Sequence, residues 1–325
     1  MTMNDALLQI FLDKQGEYVS GEEISRKLQI SRTAVWKQIN RLRKKGYEFE
    51  AVSRLGYRYI GRPARLDPDA LLARMNTKTM GRSIQLVETA ASTQTLAQQL
   101  AAQGAPEGAL VIAEEQTAGR GRMGRSWHSP SGKGIWMSLV LRPRISLQFT
   151  PQLTLLAAVA ICRSLQKFIP AKVGIKWPND LLVNGRKICG ILLESSAEDE
   201  RIRHVIAGIG ISVNLTEADY PEELRAKATS LRIEAGRKID RAEIILDIMR
   251  EFETLYELYH EQGFAPIRTL WELNSVTLNR PITVRTANGS IDCVAKQLDE
   301  TGALIVLNKD GERLKLFSGE IEMPN

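Results

Sequence analysis

Apolar positions recur with helical spacing from the start of the chain. Leu7, Leu8, Phe11 and Leu12 share one face of a helix predicted over 6–14. Ser20 and Glu23 form an S-x-x-E capping box for a short second helix carrying Ile24 and Leu28. After a tight turn at Gln29-Ile30, Ser31 caps a third helix. In it Val35, Ile39 and Leu42 recur at i, i+4, i+7 and face a small core, while Arg32, Lys37, Arg41 and Lys44 lie elsewhere on its circumference. The period then changes to two. Tyr47, Phe49 and Ala51 alternate, a turn follows around Arg54-Leu55-Gly56, and Tyr57-Arg58-Tyr59-Ile60 returns as the second strand of a basic hairpin. Two short helices joined by a tight turn, the second one basic, followed by a hairpin, predict a winged helix-turn-helix. Gly61-Arg62-Pro63 and Asp67-Pro68 read as a linker.

Beyond it the pattern alternates between strand and helix. Residues 69–75 have helical character, 84–89 predict a strand, and Ser92 or Thr93 caps a helix running to 103. Strands follow over 108–114 and 135–141, then a long, mostly apolar helix over 150–168. A further strand ends at Lys176, where Pro178 stops the ladder. Residues 181–183 and 187–194 predict a hairpin around Asn184-Gly185, with 195–200 as an exposed turn. The strand over 201–213 carries Gly208 and Gly210, which weaken it and suggest that a ligand or backbone comes close there. An amphipathic helix over 242–260 precedes short strands at 282–285, 290–298, 303–307 and 313–316, with turns at Asn288-Gly289 and Asp310-Gly311. The domains expected are 1–64, 65–273 and 274–325, in a multidomain α/β (α+β) chain.

Charge gives the first of these a role. Residues 1–65 hold 13 basic and 7 acidic side chains, so the whole net charge of +6 sits in the first fifth of the chain. That asymmetry points to nucleic acid. Ser31, Arg32, Thr33, Lys37 and Arg41 on the third helix would face the major groove, and Arg54 and Arg58 on the wing would meet phosphates. The competing reading is a solvated basic helix pair used for protein docking. No apolar run is long enough to span a bilayer, and 1–5 lacks a signal peptide's basic start, so a cytoplasmic protein without membrane contact is expected. Cys162, Cys189 and Cys293 are far apart and form no CxxC pair, and the three histidines show no ligand spacing. No disulfide framework and no protein-bound metal are expected.

The chemistry concentrates in Gly119-Arg120-Gly121-Arg122-Met123-Gly124-Arg125. Glycine lets a ligand approach the backbone, and arginine presents a rigid fork of donors to phosphate or carboxylate. From Gln116 to Asn179 there is no Asp or Glu, against ten Lys and Arg. The stretch therefore predicts a site for an anion. Gly119-x-Gly121-x-x-Gly124 formally matches a dinucleotide fingerprint, but Ser126-Trp127-His128-Ser129-Pro130 does not start a helix and no acid follows about 20 residues on to hold a ribose. No GxxxxGK[ST] motif is present. The acid-free surroundings and the Asn179-Asp180 pair assign Lys176 to the same ligand.

Together these residues resemble the biotin protein ligases, specifically the bifunctional kind that also represses the biotin operon. The likeness spans the whole chain: the winged helix, Ser92-Thr93-Gln94, GRGRMGR, KWPND at 176–180, the hairpin from Gly185 to Glu194, GIGI at 208–211 and the C-terminal strands. It implies a central mixed-sheet domain of the biotin/lipoate ligase type and a C-terminal SH3-like β-barrel. It implies ATP-dependent formation of biotinyl-5′-AMP, with Mg2+ accompanying ATP, then transfer of biotin to one lysine of a biotin carboxyl carrier domain. It also implies operator binding, with a homodimer when the adenylate is bound. By residue, the resemblance places Ser92, Thr93, Gln116, Arg120, Arg122, Lys176 and Lys187 around biotin. It places Arg122, Arg125, Trp127, Lys176, Asn179 and Asn214 around the nucleotide, with Arg122 and Lys176 catalytic. One position departs: Ser212 stands where the family usually has Asn. Two other readings are a ligase whose winged helix is only structural, and a ligand-sensing repressor without turnover. The intact GRGRMGR and KWPND motifs weigh against the second.

Overall fold

The computed structural model describes residues 3–14, 16–44, 47–52, 55–61, 65–198, 201–286 and 289–323. The chain divides into two compact units, Met1–Arg65 and Leu66–Asn325.

The first unit contains α1 (Met3–Asp13), α2 (Gly21–Leu28), α3 (Arg32–Lys44), β1 (Glu48–Val52) and β2 (Gly56–Gly61). Its core joins Leu7 and Phe11 of α1, Ile24 of α2, Val35, Ile39 and Leu42 of α3, and Phe49 of β1. Ser20 caps α2 by accepting from the Glu23 N–H at 3.0 Å. The return half of the expected capping box is replaced by ion pairs of Glu23 with Lys14 and Lys27. Gln29 turns the chain in the left-handed region (φ 52°), and Ser31 caps α3 through the Ala34 N–H. β1 and β2 pair antiparallel as the wing, with Phe49 opposite Tyr59. Gly56 is required at the wing's turn: its φ is +103°, and a Cβ there would lie 2.2 Å from the Val19 carbonyl.

The second unit is built on a seven-stranded mixed sheet. Its elements are α4 (Pro68–Arg74), β3 (Ser83–Ala90), α5 (Thr93–Ala102), β4 (Ala109–Gln116), β5 (Gly134–Leu141), α6 (Thr150–Gln166), β6 (Val173–Lys176), β7 (Asp180–Val183), β8 (Arg186–Glu198), β9 (Arg201–Ser212), α7 (Glu222–Arg225), α8 (Leu231–Ala235), α9 (Arg241–Gln262) and α10 (Ala265–Asn274). Strand order is β3-β4-β5-β9-β8-β7-β6. Only β3 and β4 pair in parallel, joined by the α5 crossover; the other neighbours are antiparallel. Both faces are covered, which explains the unbroken apolar runs of β4 and β5. Ala109 and Val111 pack with Ala97 and Ala101 of α5, whereas Leu110 and Ile112 face the core that holds Leu156 of α6 and Phe252 of α9. On that second face Glu114 and Arg241, 2% and 1% exposed, form an ion pair at 2.8 Å. Glu114 also accepts from the Leu66 N–H at 2.8 Å. All three cysteines are buried free thiols, and burial pushes Cys162 up to about 12.

The C-terminal strands β10 (Pro281–Thr286), β11 (Gly289–Leu298), β12 (Leu304–Asn308), β13 (Arg313–Leu316) and β14 (Glu320–Glu322) form one antiparallel sheet in the order β13-β12-β11-β10-β14. Among the described residues β13 and β14 do not pair, so the expected barrel is seen here as a five-stranded sheet. This sheet belongs to the same compact unit as the seven-stranded one. Trp177 joins them: its N–H donates to Thr277 Oγ1 at 3.0 Å and its indole to the Gly302 carbonyl at 3.4 Å. No helix among the described residues is long and apolar enough to cross a membrane.

Candidate active site

One cavity of about 600 Å3 opens at the end of β4 and β6. Its walls include Ser92, Thr93, Gln116, Arg120, Arg122, Arg125, Trp127, Lys176, Asn179 and Lys187. Asn214 is not among the lining residues; its amide donates to the Ile239 carbonyl and accepts from the Ile239 N–H, both at 2.9 Å. The carboxamide thus holds that turn, and Asn214, expected at the nucleotide, stands apart from the residues that line the cavity. Ser212, two residues earlier, does line the cavity.

At the inner end of the cavity lies a polar relay. Ser92 occupies the N-cap position of α5 but makes no capping bond. The Thr93 hydroxyl caps nothing either: it donates to Gln116 Oε1 at 3.1 Å and lies 2.9 Å from Ser138 Oγ. Gln116 Nε2 donates to Ser129 Oγ at 2.9 Å, which fixes which way the amide points. Four polar side chains from four chain segments are thus preoriented in a buried end of the site, the arrangement that recognises a small polar ring.

The glycine-arginine loop is a narrow ribbon. Trp127 N–H donates to the Gly119 carbonyl at 2.8 Å and Gly121 N–H to the Arg125 carbonyl at 2.7 Å. At its tip Arg122–Gly124 makes one 3-10 turn, with Met123 and Gly124 both at positive φ. Each cation of the site is held differently. Arg122 donates to Asn179 Oδ1 at 3.0 Å, and burial lowers its pKa. Arg125 pairs with Glu320 of β14, a hydrogen bond that raises the arginine pKa and lowers that of the carboxylate. Lys187 pairs with Asp180 at 2.7 Å and stands 5.1 Å from the centroid of the Trp127 ring. Arg120 reaches Glu194 at 3.6 Å. Lys176 alone in this set has no hydrogen bond or ion pair among the described residues. Burial lowers its pKa, partly opposed by Asp180.

The glycines of β8 and β9 make room for protein side chains. A Cβ on Gly210 would lie 2.5 Å from Trp127 Nε1, one on Gly190 2.8 Å from the same ring, and one on Gly208 2.4 Å from Gln94 Oε1. A ligand or backbone was expected at Gly208 and Gly210; the groups that approach are the side chains of Gln94 and Trp127.

A wall after β9 completes the cavity. Lys187 N–H donates to the Lys227 carbonyl and Thr229 N–H to the Lys187 carbonyl, so 227–229 lies along the start of β8. His128 and Lys133 hold Asp219 at the wall's other end, and Tyr220, Leu224 and Lys227 line the cavity. Sequence reading missed this wall, Ser138 and Glu320. Gln94 was visible only as the third residue of the Ser-Thr-Gln segment.

On the first unit Ser31, Arg32, Thr33, Lys37 and Arg41 are all exposed on α3. Arg58 of the wing is held by Glu50, with Nε 3.0 Å from Oε2, and sits over the Tyr18 ring at 4.9 Å. Arg54 lies outside the described residues.

Residues 86–212 match the model of the biotin/lipoate A/B protein ligase family, 5–58 an HTH domain, and 277–323 the biotin protein ligase C-terminal domain. The chain is 47% identical to the bifunctional ligase/repressor BirA of Bacillus subtilis, over 99% of both chains. It is 30% identical to that of Escherichia coli, over 97% of this chain and 95% of that one. Among solved structures, the biotin protein ligase of Aquifex aeolicus in complex with biotin and ATP matches 75% of this chain and 99% of its own, with a TM-score of 0.64 at 27% identity.

Proposed function

This chain belongs to the family of bifunctional biotin ligase/repressors, and on that premise we propose how its residues divide the work. The protein activates biotin with ATP and transfers it to a lysine of a biotin carboxyl carrier domain. It also acts as a biotin-responsive repressor on operator DNA, binding as a homodimer once loaded with adenylate.

In the first step a biotin carboxylate oxygen bonds to the α-phosphorus of ATP, the α–β phosphoanhydride bond breaks, and pyrophosphate leaves. Two anions must meet, so the barrier is largely electrostatic. The supporting observation is Lys176, a part-buried ammonium lining the cavity with no hydrogen bond or ion pair among the described residues, whereas Arg120, Arg122, Arg125 and Lys187 each have one. We assign it to the carboxylate and α-phosphate oxygens, with Arg122 beside it. The Ser92, Thr93, Gln116 relay, Arg120 and Lys187 take the biotin end, and Arg125, Trp127 and Asn179 the nucleotide. Mg2+ enters as the ATP complex. In the second step the neutral acceptor amine attacks the mixed-anhydride carbonyl and AMP departs. Incubation with biotin, MgATP and a carrier domain should add biotin to one lysine; no ATP-dependent addition would refute the assignment.

The repressor half rests on the exposed α3 residues and on the charge excess of the first unit. A gel shift on a biotin-gene promoter, with and without biotin and ATP, tests it. Full ligase activity without any shift would favour a structural role for the winged helix.

A further inference from the structure

Trp36 lies outside every role assigned above. It is 53% exposed on α3, one residue after the buried Val35, and makes no hydrogen bond or ring contact among the described residues. With Val35, Ile39 and Leu42 directed into the core, helical spacing puts Trp36 on the same flank as Thr33 and Asn40 and next to Lys37. No Asp or Glu occurs between Glu23 and Glu48, whereas this stretch holds eight Lys and Arg. An indole left bare in such surroundings suits a polyanion that also offers an apolar feature. The major groove provides one: the C5-methyl of thymine is the apolar group on its base edges, and the groove admits a helix. Long basic side chains engage phosphates and fix register without reading sequence. An uncharged ring beside them has little to gain from phosphates and much from excluding water at a methyl.

We propose that Trp36 is a specificity-determining residue that reads thymine through its C5-methyl. The proposal rests on the reading of the first unit as an operator-binding domain. The probe is the duplex enriched from a randomised library by the full chain with biotin and MgATP. Each thymine is replaced in turn by deoxyuridine, which removes the methyl alone, and affinity is read by fluorescence anisotropy. One replacement should weaken wild-type binding about fourfold per contacted methyl, from the transfer free energy of one such group. Trp36→Ala should weaken binding to the thymine duplex at least as much and lose all sensitivity at that position. Its salt slope and its affinity for mixed-sequence DNA should not change. Trp36→Phe, which keeps an apolar ring, should retain part of the discrimination. A deoxyuridine effect that persists in Trp36→Ala overturns the inference, as does an equal loss on enriched and mixed-sequence DNA. Unchanged operator binding would also overturn it and assign the ring to a protein contact. If the library yields no enriched sequence, the operator-binding reading falls and takes this inference with it; if enrichment succeeds, only the inference is at stake.

Discussion

Replacing Lys176 by Met keeps the length of the side chain and removes its charge. Two opposite effects are expected, on activity and on stability. The ammonium makes no hydrogen bond or ion pair among the described residues, and burial holds its pKa below the usual lysine value. Between the folded and unfolded pKa values the unfolded state binds the extra proton, so folding stability rises with pH through that window. Below it, at neutral pH, the buried charge is a net destabilisation, and Lys176→Met should raise Tm by about 2 °C or more. Activity should move the other way. A cation about 4 Å from a phosphoryl oxygen in a site of effective dielectric near 20 contributes about 4 kcal/mol. Lys187 and Arg125 are already paired, with Asp180 and Glu320, and are poorly placed to compensate. Biotin-dependent ATP–pyrophosphate exchange should therefore fall by roughly 10²–10³-fold. Wild-type exchange should decline on the alkaline side at a pH below the usual lysine range, and the residual activity of the variant should not share that decline. The reasoning is refuted if exchange stays within about threefold, which means that the ammonium is idle in the reaction, or if Tm drops, which means that it is stabilised by the fold.

Other perturbations test other parts of the molecule. Gly210→Ala places a methyl against the Trp127 indole, which must shift; adenylate formation, followed by pyrophosphate release, should fall by roughly 10²-fold with Tm little changed, and an unaltered rate would show the ring to be uninvolved. Arg241→Ala strands the buried Glu114 carboxylate and should cost about 3–5 kcal/mol in denaturant unfolding. The double change Glu114→Gln, Arg241→Met should recover most of that loss; no recovery would mean that packing, not the stranded charge, sets the cost. Glu50→Gln releases Arg58 from its wing partner and removes one negative charge, so DNA binding should tighten and its log–log salt slope steepen by about one. Because that ion pair is well exposed and screened by solvent, the unfolding midpoint should hardly change.

Local pattern alone determined a good deal here. Periods of 3.6 and 2 placed the helices of the first unit, its wing and most strands of both sheets, because an amphipathic element carries its core face in its own residues. Asn184-Gly185 specified the β7–β8 turn, both residues adopting positive φ. The acid-free span marked the glycine-arginine loop and the strand end at Lys176, two of the cavity's walls, because cations gathered for an anion leave little place for carboxylates there. Ten of the eleven residues assigned to the ligase site line one cavity. What only the tertiary structure decided is how those groups hold one another. Asn214, expected at the nucleotide, is tied to Ile239 across 25 residues; Glu320, which no sequence pattern singled out, holds Arg125. Lys176 and Lys187 look equivalent in sequence, yet Asp180 forms its ion pair with Lys187 and acts on Lys176 only through space. Such distinctions depend on which charges and amides meet across distant segments, and no local period encodes that.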